Sequence, residues 1–406
     1  MIWTILKLGW KNVWRNPTRS SVVIIAVVLG TWAGIFSAGF FNGFMQDYLD
    51  NQIELTTGHI QIMHPEFDDQ FDPKFTIPGA DKILNELRSD GRVTELIGMS
   101  QVTGLAQSTR NSFGVTINGL SATDSLGFIS RYLTEGALPD DGMRNPILIG
   151  TELAKRLSLG LRSRMVLSFQ DISGEITGGA FRVAGIFDSF NDRYDENTVF
   201  VLRKDLNRLL GEEDVFHLIR IQTSNLSLSD RMSTDLANTY DQVELKSWKD
   251  LSPDLRYLFD MTDLTLYIVM MIIIIGLVFS IINTMLMAVL ERTRELGMLR
   301  AIGMNKTRTF NMVMWETFFL TMVGSPIGLL LSWLTINYFA GAGIDLSAFA
   351  QGLNQYGMAT LVYPSLSAPY YFNLMLMIAG AAILSALYPA WRTLQLRPVE
   401  AIRKFN

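Results

Sequence analysis

The residues of this chain that could do chemistry are few and scattered. Three histidines, His59, His64 and His217, stand too far apart for a metal site, although His59 and His64 flank a short strand, and they read as solvated loop residues. No cysteine is present to act as nucleophile or thiolate ligand. The acidic groups Asp68, Asp69 and Asp72, and Glu212, Glu213 and Asp214, lack the ligand spacing of a calcium loop and read as solvated turns. No GxxxxGK[ST], GxSxG or HExxH motif occurs, so ATP cannot bind in the manner of a phosphate loop, and the chain carries no recognisable hydrolytic machinery. One ionisable residue, Glu316, falls within an apolar stretch. A carboxylate there marks function by default, and a proton-coupled carrier is one reading. A relay needs further stops, however, and no intramembrane basic partner or second acid accompanies it. The alternative is a carboxylate near the membrane interface, bonded to a neighbouring helix.

The elements that must position such residues are set by hydropathy. Of 406 residues, 49% are hydrophobic and only 18% charged. Four stretches carry no charge at all: Ser20 to Gln46, Leu264 to Leu290, Thr317 to Ile344 and Leu346 to Trp391. Since about 20 apolar residues cross a hydrocarbon core, these exclude a purely soluble enzyme, a disordered chain and a disulfide scaffold. The first stretch exceeds the apolar core of a signal peptide and is expected to be a retained helix. The last contains Gly352, Asn354, Gln355, Gly357, Pro364 and Pro369, so only its end should span. The expectation is four membrane helices at 21–44, 264–290, 309–338 and 370–391, with a loop at 339–369.

Orientation follows from Lys and Arg. They flank the first helix at Lys7, Lys11, Arg15 and Arg19, fill 291–308 and recur in the tail at 392–406, which places both termini in the cytoplasm. The segment 45–263 then lies outside; it carries 21 basic and 34 acidic residues, a balance of −13, against +8 for the rest. Short β-branched segments at Gly58–Met63, Val115–Asn118, Arg164–Phe169, Phe181–Ile186 and His217–Gln222 alternate with helical patterns at Asp81–Arg88, Thr151–Ser158 and Leu228–Tyr240. This predicts a large extracytoplasmic α+β domain, followed by a helical stalk over 250–263.

Two amphipathic segments flank the membrane. In the N-terminal one, 1–20, Ile2, Ile5, Leu6, Trp10 and Val13 oppose Lys7, Lys11 and Arg15, and Trp3, Trp10 and Trp14 suit a helix lying along the inner leaflet. The second, Glu291 to Arg308, reads ERTRELGMLRAIGMNKTR. Leu296, Leu299 and Ile302 fall at spacings of three and form a narrow apolar strip, with Arg292, Glu295 and Arg300 elsewhere around the helix and Gly303 as a stop. It either lies in the head groups or offers a docking surface to a soluble partner. Small residues four apart, Gly30 with Gly34 and Gly324 with Gly328, allow close helix approach, either between subunits or within one.

Three patches resemble the permease subunits of type VII ABC transporters, the MacB, FtsX and lipoprotein-releasing (LolC/LolE) superfamily. ERTRELGMLRAIG resembles the coupling segment of that family. Asn12, Arg15, Asn16, Arg19 and Ser20 resemble its entry to the first helix, and Tyr388, Pro389, Ala390 and Arg392, with Pro398, Glu400 and Ala401, resemble its C-terminal signature. The resemblance implies a multi-pass α-helical inner-membrane protein with a periplasmic domain of porter-like and Sabre-like parts, the latter inserted over about 115–212. It implies no catalytic residue and no cofactor on this chain, with ATP and Mg held by a cytoplasmic ATPase dimer. Glu291, Arg292, Arg294, Glu295, Leu296, Leu299, Arg300, Ile302 and Gly303 would couple to that ATPase. A second permease, identical or paralogous, would complete the transporter, with a periplasmic carrier protein as a further partner and no nucleic acid. Without a fused ATPase the layout is closest to a lipoprotein-releasing permease. The expected action is mechanotransmission that extracts lipoprotein or other amphipathic cargo, lined by Phe36, Phe40, Phe41, Phe44, Ile273 and Phe279. FtsX-like signalling to a cell-wall enzyme and MacB-like efflux of peptides or drugs are the alternatives.

Overall fold

The computed structural model describes residues 2–15, 17–122, 127–240 and 242–395, and divides into two units. Asn16, Pro398, Glu400 and Ala401, and the side chains of Ile2, Trp3, Ile5, Leu6 and Arg19, lie outside what it describes. The first unit comprises 1–46, 260–345 and 361–406; the second comprises 47–259 and 346–360.

Among the described residues, four helices are long and apolar enough to span a membrane: Pro17–Thr56, Pro253–Glu291, Lys306–Ala342 and Ala368–Leu394. The first two run well past the expected 21–44 and 264–290. Charge ends an apolar span but not a helix, and neither Asp47 nor Asp263 brings a Gly or Pro to stop the hydrogen-bond ladder. The first helix ends only before Gly58, whose φ of 65° no longer fits a helix.

Within the first unit, the four small residues lie where helices of this chain cross. A Cβ on Gly324 would stand 2.9 Å from Val27, and one on Gly328 2.7 Å from both Thr31 and the Val28 carbonyl, so the first and third membrane helices meet there. Gly30 and Gly34 face Leu277 and Ile273 on the second helix. A second small-residue contact holds the N-terminal helix, Ile2–Arg15, whose Gly9 lies against Trp315 and Phe319.

The second unit is α+β. Its strands are β1 Ile60–Met63, β2 Val93–Gln107, β3 Ser112–Leu120, β4 Leu133–Gly136, β5 Pro146–Gly150, β6 Arg164–Gln170, β7 Ile176–Phe187, β8 Thr198–Leu202, β9 Leu218–Thr223 and β10 Glu244–Ser247. They form one ten-stranded sheet in the order β10-β1-β9-β2-β3-β8-β5-β7-β4, with β6 pairing β2 and β7. The 15-residue β2 organises it: Val93 to Met99 pair with β9, whereas Gly104 to Gln107 pair with both β3 and β6. One core gathers Ile60, Ile219 and Ile221 under the helices Ala80–Arg88 and Ser229–Ala237. A second runs from Val102 to Val215 around Ile147, Leu167, Phe181 and Val199, and a third gathers Met63, Phe67, Ile97, Phe128 and Phe200. β2 contributes to all three, with Leu96, with Ile97 and Met99, and with Val102 and Ala106.

His217 and His59 are bonded into the fold rather than solvated, while His64 sits in a partly exposed loop and its ring accepts from the Glu66 amide at 3.2 Å. His217 is fully buried; its Nδ1 accepts from the Gln101 amide at 3.0 Å and its Nε2 donates to the Pro73 carbonyl at 2.9 Å, which fixes the neutral ring. His59 Nδ1 accepts from the Thr223 amide at 3.0 Å. The segment 346–360, read as loop, carries the helix Ala350–Gln355 and joins this unit through polar contacts. Gln52 donates to the Gly357 carbonyl and accepts from Asn191, each at 3.2 Å, and both side chains and the carbonyl are buried from solvent. Gly357, at φ 71°, leaves no room for a Cβ beside Gln52 and Asn191.

Asp195 is 1% exposed, and its carboxylate receives the Ser189 amide at 3.2 Å and hydroxyl at 2.5 Å. Desolvation outweighs those bonds and pushes its pKa up to about 7, while burial lowers that of His217 to about 4. A folded acid with a raised pKa binds more protons than the unfolded chain between its two values, so Asp195 favours folding below pH 4 and loses that contribution as pH rises toward 7. His217 has the opposite slope between about pH 4 and 6.5 and partly masks it. In Asp195→Asn the masking partner alone remains. Thermal unfolding monitored from pH 5 to 8 should show the variant gaining on the parent as pH rises, by up to about 2.5 kcal/mol of differential stability over that window; parallel curves would refute the assignment.

Candidate functional site: a pinned helix between the second and third membrane helices

The segment expected to couple is a short helix, Thr293–Ala301, entered directly from the second membrane helix and closed at Gly303, whose φ is 104°. Its amide and that of Ile302 reach back to the carbonyls of Arg300 and Met298 at 3.1 and 3.0 Å. Asn305 then caps the third membrane helix by accepting from the Thr307 amide at 3.4 Å.

Polar contacts fix this helix on three sides. Arg292 Nη1 donates to both carboxylate oxygens of Glu316, at 2.9 and 3.0 Å, and both side chains are almost fully buried. Arg292 also reaches Glu295 at 3.3 Å, and Glu295 in turn pairs with Arg15 at the end of the N-terminal helix. Although burial acts to raise the Glu295 pKa, the Arg15 and Arg292 guanidiniums hold it below the ordinary glutamate value. On the far side Arg300 Nη1 lies 3.5 Å from the Thr393 carbonyl near the end of the fourth membrane helix.

Of the two readings of Glu316, the carboxylate near the interface bonded to a neighbouring element is the one the structure bears out. Its partner is Arg292, 24 residues earlier in sequence, brought in by the turn of the coupling segment. A carboxylate that meets a guanidinium this way is a counter-ion, which removes the ground for a proton relay. The signal was present: Arg292 is the first charge but one after the second apolar run, and Gly9 gives the N-terminal helix a flat face with which to cover Trp315 and Glu316.

The single apolar strip is corrected. Leu296 is 4% exposed and packs with Val13, Val289, Met312 and Val313. Leu299 and Ile302 face away, at 37% and 85% exposure, and Met298 joins them at 44%. At 100° per residue, Leu296 and Leu299 stand about 60° apart and Leu296 and Ile302 about 120°, so a turn of this width splits inward and outward faces. Glu291 and Arg294 are exposed on the same segment.

The expected cargo lining does not converge. Phe36 stacks on Trp32 and reaches Phe339 of the third helix, Phe40 stacks on Phe44, and Phe41 packs in the cluster of Ile35, Leu266 and Ile336. Ile273 fills the groove opposite Gly34, whereas Phe279 is 67% exposed on the outer face of the second helix. The crevice between the first and second helices is narrow and closed by Thr31, Ile35, Met270 and Leu374. Bulky residues three and four apart on one helix spread around it, and only some can point at a given neighbour.

Comparison with known proteins gives this arrangement its context. Residues 20–238 match the MacB-like periplasmic core domain, more than half of the chain, and residues 267–398 match the FtsX-like permease C-terminal domain, which contains the whole pinned segment. The chain is a type VII ABC transporter permease. Relatives include the ABC transporter permease YtrF of Bacillus subtilis, 26% identical over 31% of this chain and 28% of its own length. The macrolide export ATP-binding/permease protein MacB of Chlorobium luteolum is 32% identical over 30% of this chain and 16% of its own. The lipoprotein-releasing system transmembrane protein LolC of Xylella fastidiosa is 20% identical over 63% of this chain and 64% of its own. The permease thus spans less than two thirds of each. Among solved structures, the periplasmic region of MacB from Actinobacillus actinomycetemcomitans aligns at TM-score 0.35 and 12% identity, covering 49% of this chain and 93% of that one. The extracellular domain of the YknZ transporter aligns at TM-score 0.31 and 14% identity, covering 47% of this chain and all of that one.

Removing one partner of a buried ion pair strands the other, at about 3–5 kcal/mol, whereas replacing both with apolar residues of similar volume is close to neutral. Arg292→Met and Glu316→Met should each lower the unfolding temperature of the purified permease sharply, and the double variant Arg292→Met/Glu316→Met should recover most of the loss. Additive losses in the double variant would show that the two charges act separately.

Proposed function

We propose that this permease couples a separate cytoplasmic ATPase to its α+β unit by mechanotransmission and extracts lipoproteins from the inner membrane. The observation that carries the reading is the division of the coupling helix. Its inward side is fixed to three other helices by Leu296 and by the Arg15, Glu295, Arg292 and Glu316 chain of charges, while Met298, Leu299 and Ile302 are left as an apolar outward face. A handle must be firmly held on one side and adhesive on the other. Leu299, Ile302 and Met298 would enter a groove of the ATPase, with Glu291 and Arg294 at the polar rim.

Both termini and the segment 291–308 would lie in the cytoplasm, as the run of Lys and Arg supports. The first and second membrane helices, of 40 and 39 residues, continue without interruption from one unit into the other, which supports transmission of force along the chain. Lipoprotein as cargo is supported by LolC, which among the relatives named above matches the longest stretch of this chain. It is supported too by the outer face of the second membrane helix, where Met271, Ile272, Ile275 and Phe279 are exposed and could receive acyl chains laterally. A second permease subunit and a carrier for the released lipoprotein belong to the same proposal.

Two measurements check it. Leu299→Asp and Ile302→Asp should abolish copurification of the ATPase while leaving membrane insertion and thermal stability unchanged; retained copurification would remove the docking assignment. Leu296→Ala, by contrast, should destabilise the permease by about 2–4 kcal/mol. Photocrosslinking from position 279 should capture lipoprotein in an ATP-dependent manner, and capture of bulk lipid alone would count against extraction and leave the ATPase assignment standing.

A further inference from the structure

The α+β unit contains a basic hollow that neither ATPase coupling nor cargo extraction explains. It has a volume of about 710 Å³ and is lined by Arg144, Arg162, Arg164 and Arg182. All four are exposed, and among the described residues none of them forms an ion pair. Their neighbours behave differently: Arg131 pairs with Glu54, Arg156 with Glu196, and Arg208 with Asp205. In a segment whose balance is −13, four unpaired arginines at one place are not a sampling of the surface.

The sheet explains how they come together. Arg164 of β6 is directly opposite Arg182 of β7, and Pro146 of β5 flanks Arg182 on the other side. Directly opposed like charges weaken a strand pair. On the exposed face of β7, Arg182 alternates with Ala180 and Ala184, so small side chains leave the depression over which the guanidiniums stand. Two rim turns are held in left-handed conformations at non-glycine residues, Asn145 at φ 46° and Arg162 at φ 65°. Each is tied to β7 through the backbone: the Arg182 amide donates to the Asn145 carbonyl at 2.9 Å, and the Arg162 amide to the Val183 carbonyl at 2.8 Å. Asn145 is braced again by Arg208, whose Nη2 donates to its Oδ1 at 3.0 Å. Charge repulsion and backbone strain thus accumulate at one concave spot, where they are expected when a ligand repays them.

We propose that this hollow binds a compact ligand bearing two or more phosphate groups. A guanidinium presents a planar fork to two oxygens, and four forks around one depression match several anionic groups on one molecule better than a single carboxylate. The volume is that of a small-molecule site, of about 300–1,000 Å³, rather than of a flat protein contact. The source is either free polyphosphate or the head group of a bisphosphorylated lipid, which share this chemistry. The inference is independent of the cargo and of the ATPase.

The test uses the full permease in detergent, titrated with tripolyphosphate and, separately, with citrate, by calorimetry. The expected result is saturable tripolyphosphate binding that weakens at least about tenfold in Arg164→Gln/Arg182→Gln, because each charged hydrogen bond lost carries about that factor. The Lys pair Arg164→Lys/Arg182→Lys should fall between, having the charge without the fork. Arg92→Gln, exposed and remote from the hollow, should leave binding unchanged, and equal unfolding temperatures should confirm that the variants fold. Phosphatidylcholine vesicles with and without cardiolipin assign the source: arginine-dependent binding to the cardiolipin vesicles identifies a lipid head group, and binding of tripolyphosphate alone identifies a soluble ligand. The proposal is overturned if parent and double variant bind tripolyphosphate equally, if citrate binds as tightly, or if neither anion binds, the last outcome pointing to an acidic protein as occupant.

Discussion

A carboxylate buried at the base of the third membrane helix imposes a constraint that the surrounding helices satisfy. Glu316 is 2% exposed, and an isolated ionised carboxylate in such a place would be costly enough to displace the helix or the proton. The solution is Arg292, and its cost is in turn offset by Glu295, which recruits Arg15. Four alternating charges therefore link the N-terminal helix, the coupling helix and the third membrane helix. Coulomb attraction in a partly desolvated setting is strong, and one Nη1 held between both carboxylate oxygens restricts how the Thr293–Ala301 helix can rotate. An apolar contact alone, such as Leu296 against Met312 and Val313, would hold the same helix but allow it to slide.

Much of this was legible in the sequence, and the parts that were not have physical reasons. Charge-free runs located the four spans, since composition alone decides insertion, but their helices outrun them because the helical ladder ignores hydropathy. The strands at Arg164 and His217 showed in β-branched alternation. Strands β5 and β8, PILIG and TVFVL, did not, because every residue in them is buried and period-two alternation disappears when both faces are covered. Both engage in parallel pairing, β5 with β7 and β3 with β8, which is the setting in which such runs arise.

The coupling segment shows the same limit at higher resolution. Its composition announced an amphipathic helix, yet the assignment of Leu296, Leu299 and Ile302 to one face failed, since spacings of three drift around a 3.6-residue turn. That Glu316 bonds to a neighbouring element was one of the two readings the sequence allowed, but no spacing named Arg292 as the residue it meets. Long-range pairs across a turn leave no periodic signature; only the coincidence of a lone intramembrane acid with a basic residue just beyond the preceding apolar run records them.

The small residues complete the account of how charges and spans are reconciled. Gly9, Gly30, Gly34, Gly324 and Gly328 each remove a side chain where another helix must pass close, so the backbone spacing that lets Arg292 reach Glu316 is built by absence rather than by contact. In a membrane, water gives little drive for helices to associate, and fit replaces it. Gly276, on the second helix, has nothing within 4 Å of where a Cβ would stand and so takes no part in this fit, which separates glycines that serve packing from one that does not. The polar chain then fixes an arrangement that van der Waals fit has already brought within range, and neither device would hold the coupling helix in register without the other.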